Sequence, residues 1–69
     1  MTLGQILDQI EAIKLAADGD FELAHSLEDK LYKQFVQTLA ERRFSYETAV
    51  ELAQVIASTN NIKFPRYCA

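Results

Sequence analysis

The stretch DGDFELAHSLEDKLYKQFVQTLAERR, residues 18–43, decides the fold of this chain. It opens with a turn, because Gly19 tolerates the left-handed backbone that ends a helix and Asp20 can cap the next one. From there to Arg43 the sequence contains neither Gly nor Pro, the two residues that interrupt helices. It therefore predicts a helix over residues 21–42, about 33 Å long given a rise of about 1.5 Å per residue.

Two shorter helices flank the long one. Thr2 and Gln5 have the spacing of a capping box, and the apolar residues after them recur at helical intervals, which predicts a first helix over 3–17. After the long helix, Ser45 has the position of an N-cap and is followed by the same periodicity. This pattern predicts a third helix over 46–58.

Residues 59–69 cannot all be helical. Pro65 pushes Phe64 towards an extended backbone, and the segment still carries the apolar residues Ile62, Phe64 and Tyr67. We expect these residues to pack the tail back over the helices. The sequence thus predicts an all-α fold, an αα-hairpin and a third helix, closed by a packed, extended C-terminal tail.

Length, charge and cysteine content restrict the class of protein. A chain of 69 residues predicts one folded domain, and no apolar run approaches the roughly 18 residues of a membrane span. No signal peptide is visible and a lone Cys68 suits a reducing compartment, so we expect a cytoplasmic protein. The net charge of −3 argues against direct binding of nucleic acid, which normally requires a basic surface.

The only histidine and two carboxylates fall within the apolar arc of the long helix. At about 100° per residue, His25, Glu28 and Asp29 share this arc with Tyr32 and Val36. His25 can pair with Asp29, and Glu28 with Tyr32, because residues four apart are neighbours on a helix. The whole apolar arc is wider than one packed side needs, so we expect the helix to be covered on two sides, by both other helices or by a second copy of the chain.

The preferred interpretation of this cluster is structural. Arg66 in the tail can make a bidentate contact to Glu28 or Asp29, which would anchor the tail against the long helix. The alternative is a metal or acid–base site built on His25, Glu28 and Asp29. One helical turn supplies three ligands where a structural zinc site uses four, so such a site needs a dimer that doubles the set. We therefore expect no metal and no cofactor, and a metal-dependent enzyme is the remote alternative.

The chain offers little for catalysis. Cys68 and His25 are the only residues that could form a thiol–imidazole pair, and a position next to the C-terminus is poorly suited to holding that geometry. No glycine-rich phosphate loop is present either. We expect no catalytic residues and no enzymatic activity.

Exposed charged residues are the expected partner-binding sites. They are four acidic residues and a basic corner with an aromatic residue, namely Glu11, Asp18, Asp20, Glu22, Arg42, Arg43 and Phe44. The basic corner can touch a phosphate or an acidic partner, but its charge also suits the negative C-terminal end of the long helix.

Three segments of the chain resemble short proteins encoded by bacteriophages, prophages and bacterial genomes. The segments are an acidic turn over 18–20, an Ala-His-Ser-x-Glu-Asp block over 24–29, and a tail with Phe64, Arg66, Tyr67 and Cys68. The family pattern often has Trp where this chain has Tyr67. The resemblance covers most of the chain, implies no known activity and transfers no catalytic residue. It implies a phage or mobile-element setting, where small acidic proteins often bind a host protein, including defence components such as CRISPR effectors.

Together these features predict a non-enzymatic protein-interaction module that binds a host or phage protein and inhibits a defence system. Its expected location is the host cytoplasm if a phage encodes it, and a homodimer is compatible with the wide apolar arc. A nucleic-acid-associated accessory protein that depends on Arg42 and Arg43 is one alternative. A self-assembling structural protein is another.

Overall fold

Three α-helices make up the fold. A computed structural model of the chain describes residues 1–65. The helices are α1 (Leu3–Ala17), α2 (Phe21–Ala40) and α3 (Tyr46–Ala57), and a 3₁₀ turn over Ser58–Asn61 follows directly on α3. The predicted all-α fold class with three helices is confirmed, and no strand occurs within the described part of the chain.

Side-chain caps begin all three helices. At α1, the Gln5 backbone N–H donates to Thr2 Oγ1 at 3.2 Å and the Thr2 N–H donates to Gln5 Oε1 at 2.9 Å, which completes the predicted capping box. The Asp20 side chain accepts from the first turn of α2, and Ser45 does the same for α3. Each cap satisfies an N–H that has no partner inside its helix, which fixes where that helix begins.

The end of α1 differs from the prediction at Gly19. This glycine does not have a positive φ, so the left-handed cap predicted for it was wrong. The helix ends at Ala17, and the N–H groups of Gly19 and Asp20 both donate to the Ala16 carbonyl, at 3.1 and 2.7 Å. Because Asp18 has right-handed backbone and Gly19 has no positive φ, the turn does not need the special freedom of glycine.

Gly19→Ala is expected to stabilise the protein by about 0.4–1 kcal/mol. A Cβ at this position would meet no atom within 4 Å, and alanine restricts the unfolded chain more than glycine does. Urea unfolding followed by circular dichroism measures the change. Asp20→Ala is the matched control in the same turn, because loss of the α2 cap should destabilise by about 0.5–2 kcal/mol. A loss of stability in Gly19→Ala would contradict the observed turn.

The end of α2 also corrects the prediction, which extended this helix to residue 42. The helix ends at Ala40, and Arg42 takes up a left-handed backbone with φ of 57°. The Arg42 N–H donates to the Leu39 carbonyl and the Arg43 N–H donates to the Thr38 carbonyl, the pattern of a Schellman motif. Arg42 and Arg43 therefore lie beyond the helix rather than in its last turn.

The core joins all three helices. Its fully packed members are Ile6, Ile10, Ile13, Leu31, Leu52 and Ile56. The helices α1 and α2 pack along each other, whereas α3 touches both of them more sparsely. Ile62 and Phe64 pack against this core from beyond α3. The remaining predicted tail residues, Arg66, Tyr67 and Cys68, lie outside the described residues.

Candidate functional site

The three polar residues of the cluster on α2, His25, Glu28 and Asp29, differ in their exposure to solvent. Glu28 is buried, with 6% of its surface exposed, although it carries a carboxylate. One residue later, Asp29 is exposed, and His25 is half-buried between these extremes. The helix therefore turns the two carboxylates in different directions rather than towards one point.

His25 and Asp29 form the predicted pair only loosely. His25 Nε2 lies 3.8 Å from Asp29 Oδ2, which is too long for a hydrogen bond. The Asp29 side chain is 57% exposed, so solvent screens the attraction even when the imidazole is protonated. His25 Nδ1 is buried and has no hydrogen-bond partner among the described residues. The pair is therefore a weak structural contact.

Tyr32 does not use its hydroxyl as the sequence suggested. Its oxygen lies 3.1 Å from Thr59 Oγ1, whereas the predicted partner was Glu28. Thr59 is fully buried, so this hydrogen bond ties the 3₁₀ turn to the side of α2. The sequence pattern gave no signal for it, because residues 58–61 read as a polar helix end and the contact spans 27 positions.

The tail anchor stays a prediction. Its proposed donor, Arg66, lies outside the described residues. A carboxylate as deeply buried as that of Glu28 is costly unless it is paired and hydrogen-bonded. A contact from Arg66, as predicted from the sequence, would offset this cost.

A metal site is not formed by the described residues. Within residues 1–65, no group of three or more His, Cys, Asp or Glu side chains is arranged to hold an ion. His25 and Asp29 lie side by side, but Glu28 turns into the interior, so the three side chains do not converge on one point. The Cys68 position lies outside this range.

The predicted partner-binding residues fall into two groups. The carboxylates Glu11, Asp18, Asp20 and Glu22 are all exposed; Glu11 lies within α1, and the other three lie at the turn between α1 and α2. Asp20 also serves the fold, because its side chain accepts the Leu23 N–H at 3.0 Å. This group is accessible, but a set of exposed carboxylates is also what a solvated acidic surface looks like.

The residues of the basic corner, Arg42, Arg43 and Phe44, differ in their exposure to solvent. Arg42 and Arg43 are exposed, and the Arg43 guanidinium lies 3.5 Å from Glu41 Oε1. Phe44 is half-buried instead, and its ring stacks on Phe35 with centroids 5.8 Å apart. Phe44 therefore contributes to packing, and the expected aromatic contact beside the arginines is directed inward.

An exposed apolar surface lies on α2 and α3, and we call it the α2–α3 face. Its members, Val36, Leu39, Tyr46 and Val50, are between 40% and 79% exposed. From the sequence, the apolar arc of α2 was expected to be covered either by both other helices or by a second copy of the chain. Within the chain, the sparse packing of α3 leaves the outer part of that arc open.

Helix geometry places these four residues on adjoining surfaces. Val36 follows Tyr32 by one turn, and the Tyr32 hydroxyl reaches the 3₁₀ turn that extends α3. Leu39 follows Phe35 by one turn in the same way, and Phe35 stacks on the segment that leads into α3. Both residues therefore lie on the side of α2 that α3 borders.

The α3 side of the face begins at its first residue. Tyr46 and Val50 are one turn apart and both are exposed, whereas Leu52 on the opposite side of the helix is buried in the core. A shallow groove runs along α2 beside the face, lined by Tyr32, Lys33, Val36 and Gln37. The face is thus a strip of apolar side chains from two helices, bordered by a groove.

Two further findings complete the description. No helix within the described part of the chain is long and apolar enough to cross a membrane. No family model, no curated protein and no solved structure matches this chain.

Proposed function

We propose that this chain is a non-enzymatic protein-interaction module and that it binds its partner through the α2–α3 face. The observation that carries the proposal is the exposure of four large apolar side chains on two adjoining helices. Large apolar side chains that lie together on a surface, rather than singly, are typical of interaction sites. Burying these side chains in a complex would remove apolar surface from water, which favours binding.

The composition of the face favours a protein as the partner. Tyr46 is 79% exposed and lies among aliphatic side chains, and tyrosine is one of the residues enriched at protein interfaces. A strip between two helices also suits an amphipathic helix, which inserts apolar residues spaced one turn apart. Nucleic acid is a poorer fit, because apolar side chains do not neutralise phosphates.

The resemblance to phage and prophage proteins suggests the source of the partner. We propose a host protein, with components of defence systems such as CRISPR effectors as the first class to examine. Binding would inhibit that partner by covering one of its functional surfaces. This mode of inhibition requires no catalytic residue in the chain.

Affinity capture tests this function. The tagged full chain would be expressed in bacterial host cells beside two variants, Val36→Lys/Val50→Lys on the face and Leu15→Lys on the far side of α1. Leu15 is 71% exposed, so its variant adds a lysine without touching the face. Circular dichroism would first establish that all three are equally helical.

We expect one protein to be captured by the parent chain and by Leu15→Lys, and to be lost from the face variant. Mass spectrometry of the captured material identifies it. Equal capture by all three chains, or capture by none, would contradict the proposed function.

A further inference from the structure

We propose that a second copy of this chain covers the α2–α3 face in the free protein, giving a two-fold symmetric dimer. The inference rests on the proposed function, since it names what occupies the same surface before another protein does. The observations that support the dimer are the charged residues that border the face and the apolar residues of the face.

The α3 border of the face is acidic, whereas the α2 border carries Lys33 one turn after the exposed Asp29. On α2, Lys33 is exposed and lines the groove beside Val36. On α3, Glu47 and Glu51 are exposed and directly follow Tyr46 and Val50 in sequence. Within residues 1–65, the ion pairs join other residues, so this lysine and these glutamates are not paired with one another inside the chain.

A two-fold axis parallel to the helices makes this pattern self-complementary. It lays α2 of one copy over α3 of the other, so that apolar residues meet apolar residues. Lys33 of each copy then faces Glu47 and Glu51 of the other, and symmetry repeats this attraction at both edges. The chain thus already contains the complement of its own face, with the charge matching that gives an interface its register.

The size of the face predicts a weak dimer. The 12 residues of α3 extend for about 18 Å, and two helices side by side are about 20 Å wide. The face therefore has an area of roughly 360 Å² on each copy. A stable interface covers roughly 800 Å² on each partner. A protein that buries a larger surface would therefore displace the second copy.

Sedimentation velocity on the full chain tests the dimer. Across samples from about 5 µM to 1 mM in low salt, the parent mass should rise from the 7.8 kDa monomer towards twice that value. Val36→Lys/Val50→Lys should stay monomeric throughout, whereas Leu15→Lys should dimerise like the parent. All three substituted residues are exposed, so the folded monomer tolerates the changes.

A charge reversal distinguishes this dimer from non-specific association. Lys33→Glu should raise the dissociation constant by roughly threefold to tenfold, because it turns attraction into repulsion at both edges. Adding Glu51→Lys to the same chain should recover most of the parent affinity. Recovery requires that the two positions face each other across copies.

The outcomes keep the two proposals distinct. A parent chain that stays monomeric at 1 mM would overturn the second copy as occupant, while the capture experiment would still decide whether the face binds another protein. A dimer that survives both the face variant and the charge reversal would also overturn the inference, since another surface would then hold it together.

Discussion

Leu31→Ala is expected to lower the free energy of unfolding by about 2–5 kcal/mol. Leu31 is fully buried and lies in the core that joins α1, α2 and α3. Its truncation removes buried apolar surface and leaves a cavity that a domain this small can only partly refill. Domains of this length have a total stability of roughly 3–10 kcal/mol, so the variant should lose a large share of its stability.

Urea unfolding followed by circular dichroism measures this effect. Samples near 10 µM keep self-association from adding to the apparent stability. Leu15→Ala is the matched control, because the same side chain is lost from an exposed position and should change stability by less than about 0.5 kcal/mol. Similar losses in the two variants would contradict the core described here.

Phe44→Ala is expected to cost about 2–4 kcal/mol, which is less than the cost at a fully buried phenylalanine. The Phe44 ring stacks on Phe35 at the point where the chain turns from α2 into α3. Because α3 contacts the rest of the fold sparsely, loss of this stack should loosen the position of α3 as well as the side chain itself.

Tyr46→Ala is the control for this change. It removes an aromatic ring two residues further along, where the side chain is exposed, and should leave stability nearly unchanged at low protein concentration. Equal destabilisation by the two variants would mean that Phe44 is not the residue that holds the start of α3. Thermal unfolding by circular dichroism separates the outcomes.

The helix starts were predictable because their causes are local. A capping side chain lies within three residues of the N–H that it accepts, so Thr2, Asp20 and Ser45 could be recognised from sequence alone. The helix ends were harder. The left-handed residue was expected at Gly19 and is found at Arg42, since a Schellman motif accepts a residue other than glycine at an energetic cost.

The candidate site could be predicted only in part. The spacing of His25 and Asp29 placed them side by side, but spacing does not say that Glu28 turns inward while Asp29 stays in solvent. The link from Tyr32 to Thr59 depends on how the chain folds back after α3, which no local pattern encodes. The α2–α3 face was missed because helical periodicity identifies apolar residues without showing which of them a neighbour covers.

Amide chemical shifts of the isotope-labelled full chain, recorded from about 20 µM to 1 mM, would show which residues form the surface on which two copies meet. We expect concentration-dependent shifts at Val36, Leu39, Tyr46 and Val50, and at the charged residues beside them. The amides around Leu15 and the first turn should stay unchanged. Shifts centred on that turn, or shifts at no residue of the α2–α3 face, would contradict the claim that a second copy of the chain covers this face.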